Sequence, residues 1–162
     1  MKFGLTGDTH NNIKNIKDIC DIFNSLSVDF VIHTGDISLP KSLEIFSNLN
    51  CPLHGVFGNN DEGDKADLIE VCREKNFDFS DGPKVMEKSG VKILIVHDPA
   101  DIKVSDYYDF DVITHGHTHR FRDEKIENAF VFNPGECAGL MKGKNKIGIV
   151  SLHQISMDII QF

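Results

Sequence analysis

The chain has 162 residues, enough to bury a proper core, and one domain spanning residues 1–162 is the expectation. Its 17 Lys and Arg stand against 25 Asp and Glu, a formal charge of −8 that opposes attraction to a polyanion and argues against long nucleic acid as a partner. With 40% hydrophobic residues, no signal-peptide pattern, no apolar run near the ~20 residues of a membrane span and four scattered cysteines without a Cys-x-x-Cys pair, a cytoplasmic protein with reduced thiols and no membrane contact is expected.

In chain order, an apolar run from Lys2 stops abruptly at Gly7-Asp8-Thr9-His10, which reads as a strand delivering a carboxylate and an imidazole to its C-terminal edge. Ile13, Ile16, Cys20, Phe23 and Leu26 recur at helical spacing and predict an amphipathic helix started near Asn11-Asn12. Asp29 to Thr34 is a second buried strand, ending in Gly35-Asp36. Pro40 opens a helix striped with Leu43, Phe46 and Leu49 that runs to the break at Asn50-Cys51-Pro52. Leu53 to Phe57 is a third strand, ending in Gly58-Asn59-Asn60-Asp61, and Leu68, Val71 and Cys72 mark a third helix. Alternating strands and helices imply parallel pairing with right-handed crossovers.

From Phe77 onward the pattern is strand-rich. Lys84 to Glu87 and Val91 to Val96 read as a hairpin about Lys88-Ser89-Gly90, and His97 closes the second of these strands. Asp98-Pro99 opens a short helix or irregular loop ending near Tyr107-Tyr108. The remaining strand candidates are Asp111 to Thr114, Phe121 to Ile126, Phe130 to Phe132, Lys146 to Leu152 and Ile155 to Gln161. The first of these runs into Gly116-His117-Thr118-His119. Two stacked sheets flanked by helices fit this order. Ligands collect beyond the carboxyl ends of parallel strands, where all five polar endings lie.

Asp8, His10, Asp36, Asn59, His97, His117 and His119 are therefore the candidate metal ligands, a mixture of oxygen and imidazole donors suited to Mn, Fe, Ni or Zn. Seven donors exceed the needs of one ion with an open position. Two divalent ions are the economical reading: Asp8, His10 and His119 serve one, Asn59, His97 and His117 the other, and Asp36 bridges them. Two cations about 3.5–4 Å apart can share a hydroxide and hold both the attacking and the leaving oxygen of a phosphoryl displacement.

On these five motifs, with Asn133-Pro134-Gly135 after them, the chain resembles the calcineurin-like metallophosphoesterases, and within them the small prokaryotic phosphodiesterases. The resemblance spans residues 1 to about 160. It implies an α/β fold, a four-layer α/β/β/α sandwich of two mixed sheets flanked by helices. It also implies a dinuclear centre, most readily manganese with nickel, iron or zinc as alternatives, and hydrolysis of a small phosphodiester. The expected nucleophile is a metal-bound hydroxide, with Asn59 also stabilising the charge on the equatorial oxygens. Homodimers or homotetramers fit the resemblance, with Phe130, Phe132, Ile160 and Phe162 as apolar edge residues. The same fold serves a retromer subunit as a protein-binding scaffold with a degraded metal centre, which is the alternative to an enzyme.

Two positions depart from the family pattern. Asn60 stands where many relatives have a His that assists the leaving group, and an amide is no acid, so diesters with acidic leaving groups are the expected substrates. Asp98 stands where relatives commonly have Gly; its carboxylate could add a ligand, hold an imidazole from outside, or face away. His33 and His115 are expected to support or pack beside the site, and Asp61 to cap the following helix or orient Asn59. Gly7, Gly35, Gly58 and Gly116 are expected to let each strand turn sharply at its ligand.

Overall fold

The computed structural model describes residues 1–162 as two sheets stacked face to face. The first sheet holds β1 (Lys2–Thr6), β2 (Phe30–His33), β3 (Leu53–Phe57), β4 (Asp78–Asp81), β10 (Lys146–Ser151) and β11 (Ser156–Gln161), in the order β11-β10-β1-β2-β3-β4. The second holds β5 (Lys84–Lys88), β6 (Val91–Ile95), β7 (Val112–Thr114), β8 (Arg122–Ile126) and β9 (Ala129–Asn133), in the order β5-β6-β7-β9-β8. The run β1 to β4 is parallel, as are β6, β7 and β9, and both sheets finish in antiparallel strands. The expected two-sheet α/β architecture is the one observed.

Strand alternation explains the stacking. Phe3, Leu5, Phe30, Ile32 and Val56 point from the first sheet toward Ile93, Ile95, Val112 and Phe132 of the second, forming one buried apolar layer. The opposite face of the first sheet is covered by α1 (Ile13–Ser25), α2 (Pro40–Glu44) and α3 (Lys65–Lys75) through Ile16, Ile19, Phe23, Leu43, Phe46 and Leu68. The outer face of the second sheet is covered thinly, by α4 (Asp106–Asp109) and the flanking segments that bring Ile102, Tyr107 and Phe110 onto Val96, Ile113 and Val131.

The structure adds to the sequence reading at three places. The polar run Asp78–Asp81 is a strand: it pairs in parallel with β3, and Asp78 is held by His54 Nδ1 at 2.8 Å and Lys84 Nζ at 2.6 Å. The helix opened by Pro40 stays α-helical only to Glu44, and Ile45–Asn48 tightens to a 3-10 turn. There the Asn48 side chain donates to the Ile45 carbonyl at 2.9 Å, competing with the helical bond. Phe132 is fully buried between the sheets and is a core residue, whereas Phe130, Ile160 and Phe162 are partly buried against the two larger cores, Ile160 on the edge strand β11.

Candidate metal centre

All seven expected residues follow the C-terminal ends of the parallel strands: Asp8 and His10 after β1, Asp36 after β2, Asn59 after β3, His97 after β6, and His117 and His119 after β7. Backbone bonds tie these loops to one another. Asp8 N–H donates to the Gly35 carbonyl at 2.8 Å, His10 N–H to Asp36 at 2.9 Å, and Gly116 N–H to His97 at 3.0 Å. His117 N–H reaches both carboxylate oxygens of Asp8, at 2.9 and 3.0 Å.

The donors fall into overlapping groups. Asp8, His10 and His119 offer ligand atoms that all lie within 4.8 Å of one another, and so do Asp8, Asp36 and His97. Asp8 is common to both, while Asp36 Oδ1 lies 3.4 Å from His97 Nε2. Asn59 Oδ1 lies 2.9 Å from His97 Nε2 and 3.0 Å from His117 Nδ1, and those two nitrogens are 3.2 Å apart.

Which nitrogen faces the centre is decided from outside. His97 Nδ1 sits 2.9 Å from the Thr34 carbonyl and must donate to it, which leaves Nε2 with a lone pair. His119 Nδ1 donates to Glu136 Oε2 at 2.6 Å, and its Nε2 lies 3.7 Å from Asp8 Oδ1. His10 Nδ1 meets Ser38 Oγ at 3.2 Å. His117 turns the other way, with Nδ1 inward and Nε2 3.8 Å from Asp98 Oδ2. Asp98 thus stands outside His117, and its other oxygen caps the following turn through Ala100 N–H at 2.8 Å.

This geometry fits metal ions. With His97 Nδ1 committed as a donor, its Nε2 faces Asn59 Oδ1 acceptor to acceptor, and His117 Nδ1 lies within reach of both; a proton on His117 Nδ1 or a shared cation relieves that contact, and the cation takes all three lone pairs together. Buried Asp8 and Asp36 add negative charge beside them, and burial holds the Asp8 carboxyl above the usual carboxylate range against the pull of His119 and His97.

Five of the seven, Asp8, His10, Asp36, His117 and His119, adopt left-handed backbone with φ between 46° and 64°. Such conformations cost energy and persist where surroundings impose them, as at binding sites. Of the four glycines expected to make the sharp turns, Gly35 does so at φ +102°, while Gly7, Gly58 and Gly116 make room instead: a Cβ on Gly58 would stand 2.2 Å from Asp36 Oδ1, and one on Gly116 2.6 Å from Asp8 Oδ2.

Two supporting carboxylates complete the cluster. Asp61 caps the 3-10 turn that begins at Asn59, as expected, by accepting from Gly58 N–H on Oδ2, and it also gathers the Asp36 loop, accepting from Asp36 N–H on Oδ2 and from Ile37 and Ser38 N–H on Oδ1. Glu136, which motif reading passed over, is almost fully buried behind His119. The signal was its place directly after Asn133-Pro134-Gly135, beyond β9, at the same sheet edge as the other ligands. His33 is buried, accepts from Gly35 N–H on Nδ1 at 3.1 Å and donates from Nε2 to Thr9 Oγ1 at 3.0 Å, so it links two ligand loops. His115 is buried beside Asn133. Burial pushes the Cys137 thiol up to about 12, which removes it as a nucleophile.

Beside Asn59, His97 and His117 lies a cavity of about 390 Å³ whose rim carries Glu62, Asp81, Asp98 and Asp101. Its one cation, Lys65, is engaged with Asp81 at 2.6 Å and Glu62 at 3.3 Å. No helix of the chain is long and apolar enough to cross a membrane.

Comparison with known proteins agrees with this picture. The E. coli phosphoesterase YfcE superposes with a TM-score of 0.73 over 99% of this chain and 98% of its own at 18% identity, a likeness of fold. A structurally characterised archaeal phosphodiesterase superposes with a TM-score of 0.90 over 100% of both chains at 31% identity. Phosphodiesterase MJ0936 of Methanocaldococcus jannaschii is 35% identical over 157 residues, covering 93% of this chain and 92% of that protein. The profile of the calcineurin-like phosphoesterase superfamily domain matches residues 1–155, and the chain belongs to that superfamily.

Proposed function

We propose that the protein is a metal-dependent phosphodiesterase that hydrolyses a small phosphodiester at a two-cation centre. Asp8, His10 and His119 would hold one ion and Asn59, His97 and His117 the other, with Asp36 between them. When bound, such ions acidify water and offset charge on phosphoryl oxygens. The observation that carries the reading is the convergence of Asn59 Oδ1, His97 Nε2 and His117 Nδ1 within 2.9 to 3.2 Å, three atoms that can each turn a lone pair toward one ion. The intact donor set favours hydrolysis over the scaffold alternative.

The protein's own residues hold and orient. Asn60 donates its backbone N–H to Asp36 Oδ1 at 2.8 Å and its side-chain amide to Oδ2 at 2.7 Å, fixing that carboxylate in place. Glu136 sets the ring of His119 from outside, and Asp98 stands 3.8 Å from His117 Nε2, beyond a hydrogen bond. No side chain at the Asn60 position can protonate a leaving group, which supports diesters with acidic leaving groups. The phosphodiesterases among the relatives support the same choice. The mixed oxygen and imidazole donors suit Mn, Fe, Ni or Zn, and the family resemblance puts manganese first. Four free thiols suit the cytoplasm.

The test is a metal-by-substrate screen on chelator-treated protein, with bis-p-nitrophenyl phosphate, p-nitrophenyl phosphate, and the variants Asp8→Asn and His97→Ala. Metal-restored turnover that favours the diester and is lost in both variants is expected. Protein that binds metal yet hydrolyses neither ester would sink the reading.

A further inference from the structure

A second cavity, of about 480 Å³, opens beside His10 and is bounded by Asn11, Asn12, Ala138 and Leu140. It shares no residue with the acidic cavity beside Asn59, His97 and His117. The two differ in chemistry: one is rimmed by four carboxylates, the other by amides and aliphatic carbon with no formal charge besides His10. A phosphodiester has two ester arms, and the candidate ligands lie between two unlike places to put them.

We infer that the cavity beside His10 is the subsite for an apolar or aromatic ester arm of the substrate, with Leu140 as its specificity-determining residue. The inference rests on the phosphodiesterase reading and adds the chemical class of one arm. Leu140 is 75% exposed, although its backbone is held firmly. Its N–H donates to Glu136 Oε1 at 2.9 Å, and the other oxygen of the same carboxylate holds His119 at 2.6 Å. Asn12 and Asn15 donate to the carbonyls of Ala138 and Cys137, each at 2.8 Å. Gly139 makes the intervening turn at φ +81°, where a Cβ would stand 2.4 Å from Asn12 Nδ2.

One carboxylate therefore ties the candidate metal ligand to the apolar wall. The wall is ordered before any substrate arrives, so covering it with an uncharged arm gains burial without a further ordering cost. The acidic rim at the other cavity repels an anionic arm and offers an aromatic one little contact, which leaves the Leu140 side for the apolar arm.

The test compares binding of two unactivated diesters, diphenyl phosphate and dimethyl phosphate, by calorimetry on the manganese-loaded protein and on Leu140→Ser and Leu140→Phe, over a time in which neither ester is turned over measurably. The wild type should bind the diphenyl ester about tenfold more tightly, the gain from burying part of one ring. Leu140→Ser should remove most of that preference and Leu140→Phe should keep it. Equal binding of the two esters by the wild type, or a preference unchanged in Leu140→Ser, overturns the inference. So does light scattering that shows Leu140→Ser dissociating an oligomer, because the face then belongs to a second copy of the chain. Bis-p-nitrophenyl phosphate turnover in the same samples separates the two readings. A Leu140-dependent preference without turnover supports the subsite and removes the hydrolase; turnover with a Leu140-independent preference overturns the subsite alone.

Discussion

Asp61 Oδ2 accepts the backbone N–H of Asp36 at 3.0 Å, so the loop after β3 sets the conformation of the candidate ligand after β2. The same carboxylate takes three further N–H groups, from Gly58, Ile37 and Ser38, each at 2.7 Å. Asp36 and Ser38 have positive φ, of 60° and 74°, and these bonds offset that strain. Asp61→Asn sets an amide NH2 against two N–H donors in a buried place. A stability loss of about 2–4 kcal/mol is expected, since charged hydrogen bonds are lost and donors left unmet. Urea unfolding within 0.5 kcal/mol of wild type, on the order of an ordinary surface change, would remove this role.

Asn60 binds Asp36 with both its backbone and its side chain. Its amide has no proton to give, so activity should track the acidity of the leaving group, with bis-p-nitrophenyl phosphate far ahead of an alkyl phosphate ester. Asn60→His should raise turnover of poor leaving groups by about 10²-fold, the low end of general acid catalysis. Comparable wild-type turnover of activated and unactivated esters would count against the argument.

The candidate ligands were readable because each stands at the end of an apolar run, where a small residue followed by Asp, Asn or His breaks the strand. Asp78–Asp81 was not, because that edge strand lacks apolar alternation and is held by the ladder to β3 and by His54 and Lys84 from other segments. Glu136 was only faintly marked, by its place after Asn133-Pro134-Gly135: its meaning lies in His119, seventeen residues away, and no local pattern announces that pairing. The left-handed backbone at five candidate ligands is equally hidden, because Asp and His, although enriched there among non-glycine residues, mostly adopt other conformations.

Gly116 lies where a methyl group would meet Asp8 Oδ2 and Thr34 Oγ1, each at 2.6 Å. Gly116→Ala must displace the Asp8 carboxylate, which also accepts the His117 N–H. A loss of metal-dependent turnover of at least about 10²-fold is expected, the size of effect that follows a misplacement of about 1 Å at a reacting centre. Full activity in this variant would mean that Asp8 has freedom the packing does not suggest.

His33 should make the metal-free protein acid-sensitive. Burial pushes its pKa from 6.5 down to about 3, so between those values the unfolded chain binds a proton that the folded chain does not. Its contribution is therefore complete above about pH 6.5 and is lost as pH falls toward 3. At pH 5 the loss is about 2 kcal/mol, from 1.36 kcal/mol for each pH unit below the unfolded value. His33→Gln should be less stable at neutral pH yet show a flatter decline over this range, read from urea midpoints at several pH values. Parallel declines for the two proteins would assign the sensitivity elsewhere.

Glu136 gives the sharpest test of the centre, because it touches no substrate and sits behind a single candidate ligand. Its carboxylate fixes His119 with Nδ1 protonated and Nε2 toward Asp8, the tautomer a metal needs, and it makes the ring a stronger donor. Glu136→Gln keeps the size and the Leu140 contact but can present an amide N–H to Nδ1, which invites the opposite tautomer. Affinity for the ion served by Asp8, His10 and His119 should fall about 10–100-fold, as it does when such outer partners are removed. Affinity for the ion served by Asn59, His97 and His117 should change much less, since Glu136 bonds to His119 and Leu140 and to none of those three, and the Thr34 carbonyl holds His97. Calorimetric titration of chelator-treated protein should thus change from two tight equivalents in the wild type to one tight and one weak. Two equivalents of unchanged affinity in Glu136→Gln would mean that His119 does not hold a metal.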